Sequence, residues 1–170
     1  MDAMTKTLTC TAMGLALALL AQSLRFFLPL PPGVASQLLI GSLVNLALVL
    51  TVRLSRSQRA AGVGFVLPMV AFLQGQLPVL PLVPVVGVGN AVFAWLAGAR
   101  FWDSRLVWLA PFVKAALLYG GALLVLRLVE LPAPAASALS LAMGAPQIVT
   151  GLLGIALAKT VARRIEQQGG

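Results

Sequence analysis

The sequence predicts an all-α integral membrane protein, folded as a single domain with a bundle of six transmembrane helices. Three observations predict this class: 60% of the 170 residues are hydrophobic, only 9% are charged, and six apolar segments follow one another between short breaks. The mean hydropathy is +1.00. A soluble domain of this size exposes many more charged residues. We therefore expect a lipid bilayer to surround the chain.

Each apolar segment is about long enough to cross ~30 Å of hydrocarbon at ~1.5 Å per residue. We expect spans at residues 8–28, 36–53, 60–76, 82–99, 106–129 and 137–161 of one domain, 1–170. The breaks "PLPPGVAS", "LPVLP" and "ELPAPAA" are rich in proline or small residues, whereas "RLSRSQR" and "ARFWDSR" carry arginines. The two kinds of break alternate, as connections on opposite sides of a membrane do.

The basic residues predict the orientation of the bundle. Nine of them fall on one side of the expected topology, and only Arg25 and Arg127 fall on the other. The nine are Lys6, Arg53, Arg56, Arg59, Arg100, Arg105, Lys159, Arg163 and Arg164. Since loops rich in Lys and Arg stay in the cytoplasm, we expect both termini to be cytoplasmic and the protein to lie in the inner (cytoplasmic) membrane.

The first span allows a second interpretation, because Lys6 followed by "LTCTAMGLALALLAQS" resembles a secretory signal that is cut after Ala21. Two features argue against cleavage. The residue two positions before Ala21 is the large Leu19, and the apolar run continues through "LRFFLPL". We therefore expect the first span to be retained.

The residue inventory excludes several kinds of chemistry. The chain has one cysteine, Cys10, and no histidine, which excludes a disulfide framework, zinc sites and His-based acid–base catalysis. The carboxylates Asp2, Asp103, Glu130 and Glu166 lie at span ends or in tails, so no catalytic pair is expected in mid-span. We expect no metal, no cofactor and no enzymatic activity. The net charge of +8 reflects topology rather than nucleic-acid binding.

Polar side chains recur near the middle of four expected spans. Asn45, Asn90 and Gln147 lie close to the midpoints of the second, fourth and sixth spans, and Lys114 lies near the middle of the fifth. Amides in membrane helices often serve only to hold helices together, at ~0.6 kcal/mol each, whereas a charge there costs ~2.5–3.5 kcal/mol. Lys114 therefore contacts helix carbonyls and amides, extends towards the cytoplasmic headgroups, or binds an anionic ligand.

The stretch "LQGQLPVLPLVPVVGVGN" interrupts the apolar pattern between the third and fourth spans. Gln74 and Gln76 project about 200° apart on a helix, so both face one cavity only if the helix unwinds near Gly75 and Pro78. Irregular backbone at membrane depth occurs where it is buried in protein or lines a wet cavity. The stretch is either a wall of a solute pocket or a proline-stiffened external hairpin.

The segments "QLLIGSLVNLALVL" and "GFVLPMVAFLQGQLPVLPLVPVVGVGNAVFAWL", with the chain length and expected topology, resemble the substrate-binding S components of energy-coupling factor (ECF) transporters. The resemblance implies a substrate site near the extracellular side, with "PLPPGVAS" and "LQGQLPVLP" as lid loops. It also implies a membrane T component and two ATPase subunits as partners. The Ala-x-x-x-Ala pattern used to dock the T component is matched here by Ala12 and Ala16.

We therefore expect capture of a small solute, a vitamin or its precursor, from the external side. The candidate binding residues are Gln74, Gln76, Asn90, Lys114, Gln147 and Asn45. Arg25 and Lys114 favour a solute with a carboxylate or phosphate. ATP hydrolysis is assigned to partner subunits, because the chain has no nucleotide-binding loop. The alternative is a structural or scaffolding membrane protein of similar fold, in which the amides only join helices and the interior is packed.

Overall fold

A computed structural model describes residues 2–27 and 34–168, and every regular element in this part of the chain is a helix. The main helices are α1 (Ala3–Phe27), α2 (Val34–Ser55), α3 (Val63–Leu73), α4 (Leu82–Trp95), α5 (Ala110–Leu128), α6 (Ala133–Met143) and α7 (Ala145–Gln168). Single 3₁₀ segments, Gln58–Gly62 and Arg105–Leu109, precede α3 and α5. A π-helical segment, Leu96–Arg100, extends α4.

Five helical stretches of the described residues are long and apolar enough to cross a membrane, judged by length and composition. They are Met4–Phe27, Ala35–Ser55, Leu82–Arg100, Arg105–Leu128 and Ala133–Gln167. The third expected span is shorter than predicted: the apolar helix Gln58–Leu73 stops before residue 76. The prediction of an all-helical protein with several membrane-length helices is confirmed.

The last expected span is two helices, with a break at Gly144 between α6 and α7. Gly144 has φ −98° and ψ −121°, outside the helical region. Pro146 follows two residues later and has no backbone N–H to donate to the carbonyl of Ala142, four residues before it. The break therefore leaves one carbonyl oxygen of α6 available for side-chain donors.

Helix α2 packs along both α1 and α7, and α4 packs between α3 and α5. Glycines make two of these contacts close. A Cβ added at Gly154 would lie 2.5 Å from the Cβ of Asn45, and one added at Gly64 would lie 2.6 Å from the backbone nitrogen of Ala91. Small residues of this kind let membrane helices approach until their backbones touch.

One end of the bundle is joined by a cluster around Trp102. The guanidinium of Arg53 and the ammonium of Lys159 each lie 5.1 Å from the Trp102 ring centroid. Lys159 Nζ also donates to the Trp102 carbonyl oxygen at 2.7 Å. Arg53 lies 3.8 Å from a Glu166 oxygen. This Trp102 cluster holds together the end of α2, the α4–α5 connection and α7, which are segments rich in the nine basic residues.

Candidate solute-binding cavity

A cavity of about 690 Å³ opens within the bundle towards the end opposite the Trp102 cluster. Pockets of this size commonly hold small molecules. Five of the six predicted binding residues line it: Asn45, Gln76, Asn90, Lys114 and Gln147. Four further polar or charged residues line it as well: Gln22, Arg25, Ser36 and Gln37. The amide layer expected from the sequence is thus gathered around one space.

Lys114 lies at the buried part of the cavity, with 3% of its surface exposed. Its ammonium donates to Oδ1 of Asn45 at 2.7 Å and lies 5.0 Å from the Phe93 ring centroid. Asn45 in turn donates through Nδ2 to the Thr150 hydroxyl at 3.2 Å. The lysine therefore meets an amide and an aromatic ring inside the bundle, and it does not extend to the bundle surface.

Asn90 is a buried amide with free hydrogen-bonding capacity. It lines the cavity at 6% exposure, and its side chain makes no hydrogen bond to the rest of the described chain. No fully enclosed polar side-chain atom of the described residues lacks a partner. The Asn90 amide atoms therefore face the open space of the cavity, where a solute or water can bond to them.

The α3–α4 connection, residues 74–81, borders the cavity, and we call it the roof. Helix α3 ends at Leu73, and the backbone then turns through Gly75, whose φ is +71°. Glycine adopts this left-handed conformation without the steric cost that a Cβ adds. The turn separates the two glutamines. Gln76 lines the cavity, and Gln74 points to α1 instead. The helix unwinds as the sequence required, but the two side chains do not share the pocket.

Gln74 is the centre of an amide cluster. Its Nε2 donates to the Ser23 hydroxyl at 3.1 Å, and its Oε1 accepts from Gln22 at 3.1 Å and from Gln76 at 2.8 Å. The bonds to Ser23 and Gln22 join the α3–α4 connection to α1 across the roof, and the bond to Gln76 lies within the connection. Of the other expected lid, residues 29–33 lie outside the described residues, and Ser36 at its end lines the cavity.

Two cavity residues, Gln22 and Gln37, were not predicted from the sequence. Gln37 and Gln147 both donate through Nε2 to the carbonyl oxygen of Ala142, at 2.9 and 3.0 Å. The proline at position 146 is the sequence signal for this arrangement, since it removes the usual donor to that oxygen. No sequence feature of this kind predicts that Gln22 lines the cavity, because its place depends on how the α3–α4 connection crosses α1.

The cavity is electropositive. Its charged lining residues are Lys114 and Arg25, both cations, whereas all four carboxylates of the chain are exposed. No group of three or more His, Cys, Asp or Glu side chains in the described residues is placed to hold a metal ion. The buried part of the cavity provides hydrogen-bond donors and positive charge, and amide side chains line its sides.

The predicted docking residues Ala12 and Ala16 are exposed along one side of α1. The opposite side of the same helix is packed on α2: Ala18 is fully buried, and a Cβ added at Gly14 would collide with Thr51. Helix α1 therefore presents an exposed small-residue face opposite the face that packs in the bundle.

Comparison of the chain with protein-family models, with curated proteins and with solved structures gave no match.

Proposed function

We propose that this protein is the solute-binding subunit of an ATP-driven uptake transporter of the kind that ECF S components represent, with six spans and both termini in the cytoplasm. One observation carries the proposal: a 690 Å³ cavity contains a buried lysine and a buried, unbonded asparagine. A bundle that served only as a scaffold gains stability by filling such a space with apolar side chains. The cavity therefore favours solute binding over the scaffolding alternative.

The proposed orientation follows from charge. With the basic end in the cytoplasm, the cavity opens to the external side. A solute would enter beneath the α3–α4 connection and bond to Asn90, Lys114 and Gln147. Closing the roof would exclude water and strengthen those bonds. The energy for release inward is assigned to ATPase subunits, as the resemblance implies.

The partner surface is assigned to the exposed face of α1 that carries Ala12 and Ala16. Small side chains there permit close approach of a second membrane helix. Leucine at both positions should block the approach while leaving the packed Gly14 and Ala18 face unchanged. The matched control is Ala116→Leu, at an exposed position of α5.

The deciding experiment is purification of the tagged protein from its own membranes in a mild detergent, followed by mass spectrometry of bound proteins and small molecules. We expect a T component, two ATPase subunits and a bound solute, and ATP-dependent uptake of that solute after reconstitution. The Ala12→Leu/Ala16→Leu variant should lose the subunits and keep the solute, whereas Ala116→Leu should keep both. A protein that holds neither solute nor ATPase subunits would contradict the proposal.

A further inference from the structure

We infer that the solute is a monocarboxylic acid whose remaining polar groups are uncharged hydrogen-bond donors. This inference rests on the proposed function and narrows it to a substrate class. It excludes cations, zwitterionic amino acids and phosphate esters. The argument comes from which atoms of the cavity are already bonded and which are free.

The carboxylate is assigned to the buried part of the cavity. The Lys114 ammonium has three N–H groups and uses one of them on Asn45. Asn90 lies one helical turn from Phe93, over whose ring the ammonium sits, so the lysine and the free amide border the same part of the cavity. A carboxylate placed there accepts charge-assisted bonds from Lys114 and a further bond from Asn90.

We assign the negative charge to the solute, because no acidic side chain of the described residues lines the cavity. Among residues 2–27 and 34–168, the charged residues that line the cavity are the cations Lys114 and Arg25, and the carboxylates are exposed elsewhere. A buried cation without an anionic partner is costly in a membrane protein. One buried lysine matches one carboxylate. Arg25, the second cation, is an exposed side chain.

The uncharged donor groups of the solute are assigned to positions where they bond to the glutamine side chains near the break between α6 and α7. The Ala142 carbonyl oxygen can only accept, so Gln37 and Gln147 must each turn their NH₂ group towards it. Both amide oxygens are left without a partner in the described residues. Each can bond only to a donor, and we assign an N–H or O–H group of the solute to that place. A charged ammonium is disfavoured there because none of the described residues that line the cavity is acidic.

The spacing of these two sites along α2 indicates how the polar groups of the solute are separated. Gln37 and Asn45 are eight residues apart on α2, which corresponds to ~12 Å along the helix axis. Because this separation is between backbone positions, we expect the carboxylate and the uncharged donors of the solute to be several bonds apart rather than on neighbouring atoms.

The test identifies the solute that purifies with the protein and compares two lysine variants. We expect a compound with one carboxylate and at least one uncharged N–H or O–H. Lys114→Gln should lower its affinity at least tenfold, and Lys6→Gln, an exposed lysine at the start of α1, should not change it. Because Lys114→Gln alters a buried site, size-exclusion chromatography checks its folding. Gln147→Leu, which keeps the lysine, should weaken the same solute several-fold.

Three probes test the class directly on protein freed of its solute: 6-acetamidohexanoate, its methyl ester and 6-aminohexanoate. Only the first combines a net negative charge with a neutral N–H, and it should raise the melting temperature more than the other two. A bound phosphate ester, cation or neutral compound, or equal stabilisation by all three probes, overturns the inference and leaves the proposed function standing. If the protein holds no cellular solute and no probe stabilises it, the proposed function fails, and this inference fails with it.

Discussion

Gln74 joins the α3–α4 connection to α1, although its side chain lines no part of the cavity. It accepts from Gln22 and Gln76 and donates to Ser23, so the α3–α4 connection is held to α1 through one amide. Both of its bonded glutamines line the cavity. Gln74 is therefore a positioning residue: it orients the side chains that form the roof without contacting the space below.

Replacing Gln74 by methionine removes these three bonds while keeping the side-chain length. Each of the three bonds contributes ~0.5–1.5 kcal/mol net, so we expect a loss of about 1.5–4.5 kcal/mol in stability and faster release of bound solute. Thermal unfolding in detergent and solute dissociation rates measure both effects. The control is Gln58→Met, which removes one bond to the exposed Trp95 indole. An unchanged melting temperature and release rate for Gln74→Met would contradict the assigned role.

Helices α3 and α4 meet at Gly64, where a Cβ would touch the backbone of α4 at Ala91. Backbone cannot rotate away as a side chain can, so the two helices would have to separate. The same pair of helices brackets the roof and carries Asn90. Helix spacing at Gly64 is therefore linked to the width of the cavity.

Gly64→Ala should destabilise the protein by about 1–3 kcal/mol, as overpacking of close-packed interiors does. The control is Gly120→Ala, at an exposed position of α5 where an added Cβ meets nothing within 4 Å. There we expect no loss, and a gain of up to ~1 kcal/mol from helix propensity. Melting temperatures of the two variants make the comparison. Equal effects of both substitutions would show that α3 and α4 are not tightly packed at Gly64.

The whole bundle has two chemically different ends. The Trp102 cluster and most of the nine basic residues mark one end, and the amide cluster and the cavity mark the other. The positive-inside rule places the end that is rich in Lys and Arg in the cytoplasm. The opposite position of the cavity therefore supports its proposed opening to the external side.

Single cysteines introduced on a Cys10→Ser background test that orientation. Pro78→Cys, in the exposed α3–α4 connection, should react with a membrane-impermeant maleimide on intact cells. Asp103→Cys, in the exposed α4–α5 connection, should react only after the membrane is permeabilised. The reverse pattern would place the cavity towards the cytoplasm and contradict the proposed direction of uptake.

Hydropathy and polar spacing were sufficient to predict the helical fold and the gathering of Asn45, Asn90, Lys114 and Gln147, because both depend on periodicity along helices. They did not predict that Gln74 turns to α1, since that depends on the path of the chain after Gly75. The break at Gly144 also escaped prediction, because an apolar run of normal length hid the effect of Pro146.

The amide cluster around Gln74 contains hydroxyl and amide groups only. Screening by dissolved ions weakens contacts between charges and leaves bonds between neutral groups almost untouched. If the roof opens for solute entry as proposed, its opening rate should therefore be the same in dilute buffer and in sea-water salinity, even though the proposed solute is charged. The opening rate of the roof would thus stay constant when the salt concentration around the protein changes.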